Sequence, residues 1–278
     1  MDKTLYTCIE EKTGKTSPAL IKHLKAAGIN DWSDLTRTGF YDFRDVVLKA
    51  VAPSSARTIF AVFRAFLNRF RDEVDICKDY AEILVAKNEK PVHTFLTSEE
   101  VKLFAAVPTH TRKEVMIKTQ ALIAAYTGLR VSDIEQVSVE NVDNGFLTYQ
   151  SIKTGTVATI PVSEKTLDLI RYAQEHKQDE PSLQARDRGL KRLCQKAGID
   201  KQVKVYVGGK EKVGPKWQFI SSHSFRRSFV TNLVSAGVSI ADTARMAGHG
   251  SNITTTQRYI CDYKISVPAQ AMAYLGVE

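Results

Sequence analysis

The run EVMIKTQALIAAYTG, residues 114–128, sets the strongest limit on the fold. It is strongly apolar, its length suits a helix, and it stops at a glycine. A helix apolar on most of its sides has to be buried among other elements. With 278 residues, 43% of them hydrophobic, the chain can build one large core or two modest ones. No apolar run reaches membrane-span length, and the opening MDKTLYTCIEEK lacks the basic-then-apolar layout of a signal peptide. A cytoplasmic location with no membrane partner is the expectation. Cys8, Cys77, Cys194 and Cys261 are scattered, with no C-x-x-C pair and no Cys/His cluster at ligand spacing. Neither structural zinc nor disulfides are expected, only free thiols.

Before that run the chain reads as helical. SPALIKHLKAAG (17–28) opens on Ser-Pro and closes on Gly28. PSSARTIFAVFRAFLNRF (53–70) spaces Ile59, Val62, Phe63, Phe66 and Phe70 by threes and fours, one apolar helical face. Arg57, Arg64, Arg69 and Arg71 project from the rest, either as a solvated face or along a phosphate backbone. AKNEKPVH (86–93) is polar and contains a proline, which marks an interdomain linker. FLTSEEVKLFAAV then restarts a helix, with Thr97 and Glu100 at capping-box spacing.

Beyond residue 145 the pattern changes. GFLTYQSIKTGTVATIPV alternates and predicts a hairpin of two strands, about 146–152 and 157–162. Helices are predicted over 163–176 and 186–198, a loop or small hairpin over 204–220, and helices again from Ser221. The predicted fold is mainly α with a small antiparallel sheet. The predicted division is a helical domain over residues 1–88, a linker over 89–94 and a larger domain over 95–278.

The net charge of +8 and the pI near 9.2 favour an anionic partner, nucleic acid first, over a merely dispersed basic surface. Residues 1–90 hold 15 Lys and Arg against 13 Asp and Glu, and the remainder holds 24 against 18, so the larger domain carries most of the excess. In SSHSFRRSFVTNLVSAG (221–237), Phe225, Phe229 and Leu233 form a buried stripe, with His223 and Arg226 beside it at the helix rim. Taken alone, that pair is better explained as a structural histidine and a surface arginine. VSIADTARMAGH follows after Gly237, so a helix-turn-helix DNA reader is a competing account. Its second helix offers only Arg245, a poor reader of base edges.

Arg130 and Asp133 in TGLRVSDI, Lys153 on the hairpin, His249 and Tyr259 complete the set. Two arginines, a lysine, two histidines and a tyrosine on separate elements, without carboxylate pairs, P-loop or metal spacing, fit attack of a tyrosine hydroxyl on a phosphodiester. Guanidiniums hold the negative charge that gathers on the non-bridging oxygens. A tyrosine of pKa about 10 needs a base or a positive field to lose its proton. The leaving 5′ oxygen needs a proton donor, for which a hairpin lysine is well placed. No metal or other cofactor is required. Tyr263, one helical turn after Tyr259, leaves the choice of nucleophile open.

These residues resemble the tyrosine recombinases, the integrase family of site-specific DNA recombinases. AYTGLRVSDI is similar to the family's first-arginine box, IKTGTVATIPV to the lysine hairpin and SHSFRRSF to the H-x-x-R box. MAGHGS and TTTQRY are similar to the last two boxes, and FLTSEEVKLF to the opening of the catalytic domain. The resemblance implies that Arg130 and Arg226 clamp the scissile phosphate, and that Lys153 is the general acid. It also implies that His223 assists proton transfer with the nucleophile, His249 hydrogen-bonds the phosphate and Asp133 orients an arginine or histidine. Tyr259 would form a 3′-phosphotyrosine, resolved by strand exchange through a Holliday junction. The implied architecture is a C-shaped clamp of a core-binding domain and a mixed α/β catalytic domain. Arg57, Arg64 and Arg227 would contact DNA. The implied partners are double-stranded DNA with specific recombination sites and three further copies, a homo-tetramer on two sites, with residues 266–278 docking on a neighbour. His249 to Tyr259 is ten steps where many members have nine, which puts the extra residue in the stretch 250–253. The T-T-x-x-Y register favours Tyr259, with Tyr263 as fallback. The rivals are a type IB topoisomerase, which shares the chemistry, and a non-catalytic helix-turn-helix protein.

Overall fold

A computed structural model describes residues 3–14, 17–87, 92–250 and 253–260. The chain divides into two compact units between residues 91 and 92, with 206–211 grouped with the first. The first unit is built from helices α1 (Leu5–Thr13), α2 (Ser17–Ala26), α3 (Arg37–Ala50), α4 (Pro53–Phe70) and the short α5 (Tyr80–Ile83). Proline starts α4 at its first turn, where a missing N–H costs nothing. The buried face of α4 is Ala56, Phe60, Phe63, Phe66, Leu67 and Phe70. Ile59 and Val62, which spacing alone placed on that face, lie at its half-buried edge. The 56–60–63–67–70 stripe follows the helical period more closely and takes the centre. Aromatic edges and faces fill this core: Phe43 meets Phe63 at 5.0 Å and Trp32 meets Phe70 at 5.1 Å, both edge-on.

In the second unit, α6 (Ser98–Ala106) begins with the reciprocal capping box of Thr97 and Glu100. The helix α7 (Arg112–Thr127) is the apolar run with which the sequence reading began. It is enclosed by α6, the one-turn α8 (Val131–Ile134), α9 (Glu164–Glu175), α10 (Leu183–Lys196) and α11 (Ser222–Ser235). Between α8 and α9 lies an antiparallel meander of β1 (Val142–Asp143), β2 (Phe146–Gln150) and β3 (Val157–Pro161), in the order β1-β2-β3. Leu147 and Tyr149 on β2 face inward, opposite Ile160 and Ala158 on β3. Strand β1 escaped the sequence reading. It is two residues long, yet Asn144-Gly145 behind it takes positive φ at both positions, the hairpin turn that this dipeptide favours.

A second hairpin, β4 (Gln202–Val207) and β5 (Lys210–Pro215), turns on Gly208-Gly209, also at positive φ. After α11 come α12 (Ile240–Met246) and α13 (Ile253–Tyr259). The helix α12 packs against α11, β3 and α13. Leu96 is tied to α11 at both ends of its peptide unit: its N–H donates to Ser228 Oγ at 2.8 Å, and its carbonyl accepts from Asn232 Nδ2 at 3.1 Å. No described helix is long and apolar enough to cross a membrane. Cys8 and Cys194 are buried free thiols and Cys77 is half-buried, while Cys261 lies outside the described residues.

Gly128 closes α7 with φ of +69°. A Cβ there would sit 2.4 Å from Phe229 Cδ1, so α7 and α11 approach as closely as they do only over a glycine. Gly128→Ala is expected to lower unfolding stability by about 3 kcal/mol, from the left-handed backbone and the overpacking together. Urea titration followed by circular dichroism measures it; a loss under about 1 kcal/mol would contradict the account.

Candidate active site

Arg226 lies in the second turn of α11 and is only 1% exposed. The sequence reading put it at the rim of the helix; the structure buries it. Burial of the charge is tolerable because acceptors surround it. Nη1 donates to the carbonyl of Gly128 at the end of α7, and Nη2 donates to Ala247 O at 2.5 Å and to His249 Nε2 at 2.8 Å. Burial first, and then repulsion from Arg130, lower Arg226 from the usual guanidinium value.

Arg130 caps α8, and its Nη1 donates to Ser151 Oγ at 2.8 Å. Ser151 in turn donates to Asp133 Oδ2 at 3.3 Å, and the other carboxylate oxygen accepts from the Ile152 N–H at 3.1 Å. Asp133 is fully buried and lies 3.6 Å from Arg130 Nη1. This carboxylate therefore fixes two things at once, the arginine and the first residues of the β2–β3 turn. Lys153 is the next residue of that turn and is exposed. Among the described contacts none joins Lys153 to the arginines or to Tyr259.

His249 is buried, with both ring nitrogens engaged. Nε2 accepts from Arg226, so the ring proton is on Nδ1, which donates to Thr256 Oγ1 at 2.9 Å. Burial, and then the charges of Arg226 and Arg130, push its pKa down to about 4, which keeps this tautomer neutral at ordinary pH. The half-buried Tyr259 ends α13, and its ring lies 5.0 Å from the His249 ring. The guanidinium carbons of Arg226 and Arg227 stand 5.5 and 5.4 Å from its centroid, within the range of cation–π attraction. The phenol that the sequence selected is thus packed against two cations and an imidazole.

His223, on the first turn of α11, is exposed by area. Desolvation of its inner side, and then the charges of Arg227, Arg226 and Arg130, lower it from the ordinary histidine value. Asp187 on α10 opposes them; its carboxylate accepts from the Ser222 N–H at 3.2 Å. His93 escaped the sequence reading. It is half-buried, and its pKa is pushed down to about 4 by burial and by the charges of Arg227 and His223. Ser151 and Thr256 escaped it too, because a lone hydroxyl carries no signal until its partners are known. Arg227, read as a DNA contact, belongs to the Tyr259 cluster. Arg57 and Arg64, the other two proposed contacts, line an open groove on α4 in the first unit. Tyr263 and the segment 266–278 lie outside the described residues, as do two positions of the stretch 250–253.

Residues 94–264 match the phage integrase family. Tyrosine recombinase XerA of Pyrococcus furiosus is 30% identical over 74% of this chain and 70% of its own. Tyrosine recombinase XerD of Neisseria meningitidis is 27% identical over 74% and 71%. A λ integrase dimer bound to a core site has the same fold, with TM-score 0.67 at 17% identity over 95% of this chain and 97% of that one. A λ integrase tetramer bound to a Holliday junction superposes with TM-score 0.63 at 16% identity, over 93% of this chain and 77% of that one. The chain belongs to the phage integrase family and is a tyrosine-type site-specific DNA recombinase.

Proposed function

We propose that this recombinase cleaves double-stranded DNA at specific recombination sites with Tyr259 as nucleophile. It would then rejoin strands through a Holliday junction within a homo-tetramer on two sites. The observation that carries the reading is the packing of Tyr259 against Arg226 and Arg227 beside His249, close to a second hydrogen-bonded guanidinium on Arg130. Only one buried carboxylate, Asp133, stands among these cations in the described residues, and such an excess of positive charge is relieved by an anion. The λ integrase tetramer on a Holliday junction supports the same assembly here.

In the proposed reaction the Tyr259 oxygen attacks the scissile phosphorus and passes its proton toward neutral His223. The bond to the 5′ oxygen breaks, and Lys153 supplies the proton that this oxygen needs. Arg130 and Arg226 hold the non-bridging oxygens throughout. A 5′-hydroxyl of the partner duplex then attacks the 3′-phosphotyrosine and releases Tyr259. One phosphodiester is exchanged for another, so no nucleotide cofactor is consumed. His249, with both nitrogens engaged by the protein, serves first by holding Arg226. Arg57 and Arg64 would add phosphate contacts from the first unit.

Three outcomes are expected. On a nicked suicide substrate, the covalent protein–DNA adduct seen by denaturing electrophoresis disappears in Tyr259→Phe, and Arg226→Ala slows it about 100- to 1,000-fold. An adduct retained in Tyr259→Phe but lost in Tyr263→Phe moves the nucleophile to Tyr263. The acid limb of the single-turnover rate should lie below the ordinary histidine range, because His223 must be neutral and its pKa is lowered; activity falls as pH drops through that lowered pKa. His223→Gln should flatten the limb, and an unchanged profile would remove His223 from proton transfer. Replacing Arg57 and Arg64 together by Ala should reduce the salt dependence of DNA binding by about two phosphate contacts, measured as the slope of log K against log salt. An unchanged slope would exclude both from the interface.

A further inference from the structure

The Tyr149 hydroxyl and Arg226 Nε, both buried beside the clamp, lack a well-formed hydrogen bond among the described residues, although the two side chains lie close enough for hydrogen bonding to act between them. Such atoms are rare in folded proteins, and leaving both unmade is unfavourable. They are also complementary. Nε–H can only donate, and a phenol oxygen can accept. Tyr149 points inward from β2, 5% exposed, opposite Ala158 on β3.

Its hydroxyl lies against Gly248, where an added Cβ would be 3.0 Å from the phenol oxygen. Gly248 joins the two residues that accept from Arg226 Nη2, Ala247 through its carbonyl and His249 through Nε2. The hydroxyl therefore sits against the very peptide segment that holds the guanidinium. Gly248, at φ of +64°, leaves the space open.

We propose that Tyr149 is a positioning residue for the phosphate clamp: its hydroxyl accepts from Arg226 Nε when the scissile phosphate is bound, and so sets the plane of the guanidinium. Arg226 would then be held along three directions, by Gly128, by Ala247 with His249, and by Tyr149. Four of its five N–H groups would then be committed, which leaves one on Nη1 for the phosphate. The two groups already influence each other. Burial raises the Tyr149 pKa above the ordinary phenol value while the Arg226 charge opposes that rise, so the hydroxyl stays neutral at working pH. The alternative is that Nε itself binds the phosphate and Tyr149 only packs.

The inference rests on the clamp role proposed above for Arg226. Its test is single-turnover adduct formation on the nicked suicide substrate at saturating DNA, with DNA affinity and Tm measured alongside. Tyr149→Phe removes one oxygen and keeps the ring. The expected result is a rate lower by about ten-fold or more, the scale on which supporting hydrogen bonds act, with affinity within about two-fold and Tm not lowered. In an Arg226→Lys background, which has no Nε–H to lose, the same change should cost less than about two-fold. A loss below about ten-fold in the parent overturns the proposal. So does a loss matched by falling affinity or Tm, or a full penalty persisting in Arg226→Lys. If the parent protein forms no adduct on cognate DNA, the phosphotyrosine reading falls and this proposal falls with it; a normal adduct in Tyr149→Phe removes only the proposal.

Discussion

The hold on Arg226 organises the catalytic unit. A guanidinium cannot be buried without acceptors, and this one draws them from three elements: the end of α7, the peptide after α12 and the ring of His249. Each of those elements is shaped to deliver its acceptor. The run that ends in Gly128 brings a carbonyl forward because α7 terminates in a left-handed turn against Phe229. Ala247, at the end of the short α12, turns its carbonyl toward Arg226 of α11, and His249 follows two residues later. The hydrophobic core thus supports the site through backbone carbonyls as much as through packing.

A second linkage runs through Asp133. Its two oxygens connect Arg130, Ser151 and the amide of Ile152, so the first arginine and the lysine-bearing turn share one anchor. His249 does the same for the second arginine and for α13, the helix that ends in the proposed nucleophile, with Arg226 on one nitrogen and Thr256 of α13 on the other. Each of these side chains spans two groups that the proposed chemistry needs in register. Their contribution is alignment, which a reaction at phosphorus rewards steeply.

Much of this was legible in the sequence, for local reasons. Capping residues and glycines marked the helix ends, Thr97 with Glu100 and Gly128 among them, because those signals act within a turn. The residue types of the candidate site were legible because tyrosine attack on a phosphodiester leaves few ways to assemble the required charges. What could not be read was where the acceptors come from. Nothing near Arg226 in sequence announces that it is buried, since its partners belong to other elements. Ser151, Thr256, Tyr149 and His93 gain their interest only from neighbours brought by the fold. On α4 the apolar spacing admitted two adjacent stripes, and packing chose the one through Ala56 and Phe60.

The bond from Arg226 to Gly128 closes a loop of 98 residues, and that from Leu96 to Ser228 a loop of 132. Contacts so distant form only after most of the chain exists, and closing them is slow. During synthesis Arg130 emerges long before the segment that carries its companion cations and the tyrosine. A growing or prematurely ended chain therefore displays scattered basic residues but not the assembled cluster of Arg226, Arg227, His249 and Tyr259. The cluster of Arg226, His249 and Tyr259 is completed only when the last helices dock, so any activity that depends on it is confined to the finished fold.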